Sequence, residues 1–190
     1  MANLLINPNF AATPALPTLL IGTGHAGTSA AGPNWLTWNN SGPGGDCAYV
    51  STAIIPLKTV NKLIPVGAQP QCQGLHDFLR HPPDTDQVLE VCTNGSADGI
   101  DQVFNLTSQS PMKSEARVWV FVLRGSVTKG TGPVGTPTAS VKSTKTYEWE
   151  ELRLLNPNPL PAVNAQLIIY SDSADGAWFF IAQTSVVTID

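Results

Sequence analysis

Hydrophobic and polar residues alternate along most of this chain, in short runs separated by glycine and proline. Alternation with a period of two places successive side chains on opposite faces of an extended strand, so each run predicts a β-strand. The glycine- and proline-rich segments 41–45, 129–135 and 156–161 are expected to be turns. We predict strands near residues 3–7, 35–39, 48–56, 60–66, 88–93, 101–106, 116–128, 138–142, 146–155, 165–170 and 178–188.

The tetrapeptide Ser-Ala-Asp-Gly occurs twice, at 96–99 and at 173–176, each time between strand-like runs. The first copy follows Asn94-Gly95, and Asn-Gly and Asp-Gly are the strongest short-range signals of a β-hairpin. We therefore expect a hairpin around the first copy and another strand-to-strand turn at the second. Only 74–81 indicates helix, and the two prolines after it would end it within about two turns.

Many short strands, glycine- and proline-rich turns and almost no helix predict an all-β antiparallel fold, either a sandwich or a barrel. A chain of 190 residues is long enough to bury the core of one such domain.

The charge of the chain argues against two classes of partner. Charged residues make up 13% of it, and the formal net charge is −4 with no cluster of Lys or Arg. Such a chain offers no basic surface to nucleic acid or to an anionic membrane, and the longest apolar run, 118–123, is too short to cross a bilayer. The first residues lack the features of a signal peptide, so we expect a protein that is cytoplasmic or released by a non-classical route.

Cysteine and histidine are sparse. Cys47, Cys72 and Cys92 are too few for a secreted disulfide scaffold. We expect buried thiols, and a disulfide from Cys72 to either Cys92 or Cys47 is the alternative. A zinc site at Cys72, His76 and His81 fits no compact ligand spacing, so no metal ligands are assigned.

Catalytic motifs are missing from the sequence. It contains no Gly-x-Ser-x-Gly elbow, no Walker loop and no His-Glu-x-x-His. Glu148 and Glu150 share one strand face at about 6–7 Å, a separation that suits a glycosidase carboxylate pair. Acids in this arrangement are more typical of a solvated strand face, so we expect no enzymatic activity.

Several segments carry a likeness to one family. They are Asn-Leu-Leu-Ile-Asn-Pro-Asn-Phe at 3–10, Gly-Pro-Asn-Trp-Leu-Thr-Trp-Asn-Asn at 32–40, the runs 89–104 and 115–125, and the closing runs 147–152 and 178–186. Taken in order, they resemble the jelly-roll carbohydrate-binding modules, whose β-sandwich is galactose-binding-domain-like. The resemblance implies one jelly-roll domain over 1–190 with an insertion at about 58–83. It also implies non-catalytic binding of a glycan or polysaccharide.

Many relatives in that family hold a structural calcium ion through an acidic residue after the first Phe and an Asp pair near the C-terminal end. The corresponding positions here are Ala11, Ala182 and Gln183, which offer a hard cation no carboxylate. We expect this site to be lost, or else rebuilt from Asp172 and Asp175. No other cofactor is expected.

Sugar recognition needs flat apolar faces beside polar side chains that bond hydroxyl groups. By strand alternation Arg117, Trp119 and Phe121 share the face opposite three valines. We expect that face either to bind glycan or to pack against another segment. Trp149 is expected in the core.

Two further positions complete the candidate set. The resemblance places Trp35 in the core, and we expect Trp38, followed by Asn39, to be exposed. Gln102 occupies the family's G-x-x-Q position and either bonds a sugar hydroxyl or pairs with backbone. The candidate glycan-binding residues are therefore Trp38, Asn39, Gln102, Arg117, Trp119 and Phe121.

The alternative function is a structural or interaction protein, such as a self-assembling or toxin-associated β-sandwich. It would use the same aromatic face against a protein partner or a second copy of the chain.

Overall fold

The computed structural model describes residues 2–6, 8–10, 18–21, 24–25, 35–39, 49–61, 63, 86–106, 108 and 110–189. The helix expected at 74–81, most of the insertion expected at 58–83, and Cys47 and Cys72 lie outside these residues.

Two six-stranded antiparallel sheets form the molecule. The strands of the first sheet are β1 (Thr18–Ile21), β4 (Tyr49–Pro56), β5 (Gln87–Thr93), β7 (Met112–Arg124), β10 (Trp149–Leu160) and β12 (Trp178–Ile189), in the order β1-β4-β5-β12-β7-β10. Those of the second are β2 (Gly24–His25), β3 (Trp35–Asn39), β6 (Gly99–Phe104), β8 (Val127–Pro133), β9 (Ala139–Lys142) and β11 (Ala165–Ser171), in the order β2-β3-β6-β11-β8-β9. The predicted all-β antiparallel sandwich is confirmed.

The main hydrophobic core lies between the sheets. Alternate residues of the central strands meet there, among them Val118 and Val120 of the first sheet and Ile100 and Leu167 of the second. Trp35 is fully buried in this core and its ring centroid lies 5.4 Å from that of Phe10, so the expectation for Trp35 is confirmed.

A second apolar cluster covers the outer face of the first sheet. Its buried members are Val60, Val88, Phe121, Trp149, Phe180 and Ala182. Val60 belongs to a short helix, α1 (Leu57–Asn61), so the strand predicted near 60–66 is wrong at its start. Trp149 is 2% exposed, and its expected place in a core is confirmed.

One predicted strand and two predicted turns differ from the structure. The strand predicted at 116–128 is two strands, β7 and β8, separated by Gly125 and Ser126, and the φ of Gly125 is +77°. The predicted turn 129–135 is largely strand β8, and the predicted turn 156–161 lies mostly within β10. Prolines are tolerated in β10 because it is the last strand of its sheet, where N–H groups on one side need no ladder partner.

Both Ser-Ala-Asp-Gly turns carry the chain from one sheet to the other. The first joins β5 of the first sheet to β6 of the second, and the second joins β11 to β12. The hairpin expected around the first copy is therefore wrong. The first turn bonds the end of β11, two residues before the second turn: Ala97 N donates to Ser171 O at 2.7 Å, and Ser171 N donates to Asp98 O at 2.8 Å.

The segment expected as a first strand, near 3–7, has no strand among residues 2–6. It lies along β12 instead, where Leu4 N donates to Val186 O at 2.9 Å. Within the described ranges, no helix has the length and apolar character that crossing a bilayer requires.

Candidate functional site

The predicted binding residues do not form one site. Trp38 lies on the outer face of the second sheet, because its neighbours Thr37 and Trp35 point into the buried interior. Trp119 and Phe121 lie on the outer face of the first sheet, since Val118 and Val120 belong to the main core. The sandwich thus separates the candidate aromatic residues onto opposite sides of the molecule.

Phe121 is fully buried in the second apolar cluster. Its ring centroid lies 5.5 Å from that of Trp149 and 6.1 Å from that of Phe180. Aromatic pairs at this spacing pack favourably, edge against face. The face of Arg117, Trp119 and Phe121 was expected either to bind glycan or to pack against another segment, and Phe121 packs.

Trp119 and Arg117 occupy the less covered end of the same face. Trp119 is half-buried against the second cluster. Arg117 donates to both carboxylate oxygens of Glu115 at 3.2 Å, and this hydrogen bond is the main reason that the pKa of Glu115 lies below its usual value. Arg117 also lies 3.8 Å from Glu151, and Arg153 bonds Glu115. The guanidinium group of Arg117 is thus already engaged by protein carboxylates.

Gln102 points into the molecule and is 1% exposed. Its Oε1 accepts from Ile6 N at 2.7 Å and its Nε2 donates to Ile6 O at 3.0 Å. For Gln102 the backbone-pairing alternative therefore applies. Asn39 pairs through its backbone with Gly24 at the end of β3, and its side chain lies outside the described part of the structure.

A cleft of about 270 Å³ opens on the outer face of the second sheet. Strands β3 and β11 form its floor, and the turn that joins β8 to β9 (residues 134–138, the β8–β9 turn) forms one wall. This volume lies just below the range of about 300–1,000 Å³ that is usual for small-molecule sites. Its lining residues are Trp38, Ala97, Val134, Gly135, Pro137, Gln166, Ile168 and Tyr170.

Trp38 and Tyr170 stand on either side of a glycine. Gly99 of β6 pairs with Trp38 of β3 on one side and with Tyr170 of β11 on the other. Two strand spacings separate the aromatic residues, a distance of about 9–10 Å between their backbones. Because Gly99 has no side chain, β6 places no side chain between the two aromatic residues at this position. A Cβ at this position would lie 2.0 Å from Ile169 O, so the close strand approach also requires glycine.

Tyr170 is held from the far side of the cleft. It pairs through its backbone with Thr128 of β8, on the side away from Trp38. Burial raises the pKa of the Tyr170 phenol, the charge of Asp172 adds to this, and the nearby Thr128 side chain opposes it. The phenol therefore stays protonated at neutral pH and offers an oxygen and an aromatic ring in a fixed place.

Glycines let the wall of the cleft close onto its floor. A Cβ on Gly132 would lie 2.6 Å from Thr138 N and 2.7 Å from Thr136 O. A Cβ on Gly130 would lie 2.9 Å from the Cβ of Pro137. Any larger residue at these positions would push the β8–β9 turn away from the sheet.

None of the described positions considered for calcium is among the residues that line the cleft. Ala182 is buried in the second apolar cluster and Ala11 lies outside the described residues. Asp172 forms an ion pair with Lys142 at 2.5 Å, and Asp175 is exposed. Over the part of the chain that the structure describes, no group of three or more His, Cys, Asp or Glu is arranged to hold a metal ion.

Sequence reasoning missed Tyr170, Gly99 and Gln166. Strand alternation did contain part of the signal, because Gln166, Ile168 and Tyr170 share one face of a predicted strand. Their meeting with Trp38 depends on the pairing of three strands that are distant in sequence, which no local pattern reports.

No family model and no curated protein sequence matches the chain. Among solved structures, its fold is similar to that of TmCBM61, solved in complex with β-1,4-galactotriose, with 12% identity, a TM-score of 0.58 and 100% of each chain covered. The CBM22-1 xylan-binding domain of Paenibacillus barcinonensis Xyn10C matches at 11% identity and a TM-score of 0.47, over 90% of this chain and 94% of that chain. The chain therefore shares its β-sandwich fold with a carbohydrate-binding module, TmCBM61, as the sequence resemblance implied.

Proposed function

We propose that this chain is a non-catalytic glycan-binding domain and that the cleft on the outer face of the second sheet receives the sugar. The observation that carries the proposal is the placement of Trp38 and Tyr170 on either side of Gly99. Two half-buried aromatic rings with open space between them offer apolar contacts to the C–H faces of a pyranose ring.

The size of the cleft favours a short stretch of sugar. Contacts between carbon atoms are optimal at about 3.5–4.0 Å, so a sugar ring that touches both aromatic side chains uses most of the 9–10 Å between their backbones. A volume of about 270 Å³ suits one or two sugar rings and leaves the rest of a longer chain in solvent.

The chemistry of the lining favours an uncharged ligand. None of the described residues that line the cleft carries a charge. Acidic groups are recognised mainly by Arg and Lys, which offer charge-assisted hydrogen bonds. The Tyr170 hydroxyl supplies a neutral donor and acceptor that match sugar hydroxyl groups. The backbone N–H groups of residues 134, 135, 136 and 138 already donate to acceptors within the protein.

The fold similarity to TmCBM61 supports a glycan as the ligand class, since that protein was solved with a bound galacto-oligosaccharide. The identity of 12% leaves the sugar open, because fold alone does not determine a binding site. The residues of the cleft, not the neighbour, carry the assignment to this face.

A glycan array tests the proposal with three proteins: wild type, Trp38→Ala and Trp119→Ala. Both tryptophans are half-buried and lie on opposite outer faces, so Trp119→Ala is a matched control. We expect wild-type binding to at least one neutral glycan, a loss of at least about tenfold in Trp38→Ala, and little change in Trp119→Ala.

Two results would overturn the proposal. If wild type binds no plant, microbial or animal glycan, the function is wrong. If Trp119→Ala loses binding and Trp38→Ala keeps it, the function stands but the site belongs to the first sheet.

A further inference from the structure

Gln166 lies in the floor of the cleft, and both ends of its carboxamide are bonded. Its Nε2 donates to Asp101 Oδ2 at 2.7 Å, and its Oε1 accepts from Gly135 N at 2.9 Å. Gln166 is 2% exposed and Asp101 is fully buried. Since Asp101 belongs to β6, Gln166 to β11 and Gly135 to the β8–β9 turn, one amide joins two neighbouring strands of the sheet to the wall.

The ends of the β8–β9 turn are fixed by backbone bonds. Val134 N donates to Asn164 O at 3.1 Å, and Thr138 N donates to Thr131 O at 2.9 Å. Gly135 lies between these ends with a φ of +75°, and a Cβ there would have no atom within 4 Å. The bond from Gly135 N to Gln166 therefore ties the outer part of the turn to the floor.

We infer that Gln166 is a positioning residue of the glycan site: its amide holds the β8–β9 turn over the floor and so sets the width of the cleft. Being almost fully buried, it acts through the turn and not through contact with sugar. A wall fixed before binding lowers the entropic cost of ordering the site around a ligand. This inference rests on the proposed function, because the width matters to binding only if the sugar enters this cleft.

Reversing the polarity of one hydrogen bond gives a specific test. Gln166→Glu keeps the side-chain shape and the acceptor for Gly135 N, but it replaces the donor to Asp101 with a second carboxyl oxygen. Adding Asp101→Asn restores a donor and acceptor pair in the opposite direction. Gln102→Glu is the matched control, because Gln102 is also a buried amide bonded at both ends, but it faces the interior and bonds Ile6.

Two measurements are made on these variants: backbone amide exchange of residues 134, 135, 136 and 138 by NMR, relative to the amides of β12, and binding to the glycan array. In Gln166→Glu we expect exchange in the turn to quicken, and array binding to weaken, by at least about tenfold each. We expect the double variant to return both to within about threefold of wild type, and Gln102→Glu to change neither by more than that.

The outcomes separate the inference from the proposed function. Unchanged exchange in Gln166→Glu, a double variant as impaired as the single one, or full array binding despite a loosened turn would each overturn the inference. Exchange that behaves as expected in a chain that binds no glycan would reject the proposed function and leave the anchoring of the turn in place. If Gln166→Glu does not fold, Gln166→Met removes both bonds without adding a charge, and the same loosening of the turn is expected.

Discussion

The outer faces of the two sheets carry aromatic residues in the same alternating pattern, but the structure uses them differently. On the first sheet Phe121, Trp149 and Phe180 are buried together in the second apolar cluster, which also includes Val60 of α1. On the second sheet Trp38 and Tyr170 are half-buried around an open cleft. An outward-facing aromatic residue is thus accessible to a ligand only where no other segment of the chain covers it.

The largest expected loss of stability comes from a large-to-small substitution in the second apolar cluster on the first sheet. Trp149→Ala leaves a cavity in the second apolar cluster and should lower the free energy of unfolding by about 3–5 kcal/mol, as measured by urea denaturation. Trp178→Ala is the control, because Trp178 is 40% exposed and should cost much less. A Trp149→Ala variant as stable as wild type would show that this face is not sealed.

A smaller effect concerns the lysine that joins the two sheets. Lys129 of β8 is fully buried and donates to Ala116 O at 2.6 Å and to Leu152 O at 2.5 Å, on β7 and β10. Burial lowers its pKa from 10.5 to about 7, and the charges of Glu151 and Glu115 oppose this. A neutral amine still has hydrogens for both carbonyl groups, so the link does not require the charge.

The sign of the resulting pH dependence follows from proton uptake. Between pH 7 and 10.5 the unfolded chain holds the Lys129 proton and the folded protein does not, so stability rises with pH. From about pH 7 to pH 9 the free energy of unfolding should increase by about 2–3 kcal/mol more in wild type than in Lys129→Met. Parallel profiles of the two proteins would contradict the lowered pKa.

A substitution at Gly132 tests whether the wall of the cleft contributes to glycan binding. Gly132→Ala places a Cβ against the backbone of Thr136 and Thr138, so the β8–β9 turn must move outward. We expect a loss of stability of about 1–3 kcal/mol by denaturation, together with weaker glycan binding. Normal binding with the same loss of stability would mean that the wall does not contribute to the site.

The smallest effect is expected beside the cleft. Lys142→Ala removes an ion pair with Asp172 in which both side chains are about half exposed. Exposed pairs contribute about 0–1 kcal/mol, so stability and glycan binding should both stay near wild type. A strong loss of binding would extend the site past Tyr170 toward this pair.

Local patterns predicted much of the fold and little of its pairing. The strand predicted at 35–39 coincides with β3, and that at 88–93 differs from β5 by one residue. The two Ser-Ala-Asp-Gly turns were located, but not their passage between sheets, because a turn signal does not identify the partner strand. The two copies also differ in backbone conformation. A positive φ occurs at Ala97, the second residue of the first copy, but at Gly176, the fourth residue of the second copy.

The site was less predictable than the fold for the same reason. Trp38 was identified because its alternation with the core residue Trp35 puts it on an outer face. Tyr170 and Gln166 belong to β11, which reaches Trp38 of β3 only because β6 lies between the two strands in the sheet. These three strands are distant from one another along the chain. Gly130 and Gly132 contributed to the turn predicted at 129–135. They lie instead in strand β8, where the absence of side chains lets the β8–β9 turn pack closely.

The most direct test of the central claim uses the indole N–H signals of the five tryptophans in an NMR titration with each glycan that binds on the array. We expect the Trp38 signal to shift in proportion to bound glycan, while the signals of Trp119 and of the buried Trp35 and Trp149 stay in place. A shift of the Trp119 signal with Trp38 unmoved would contradict it.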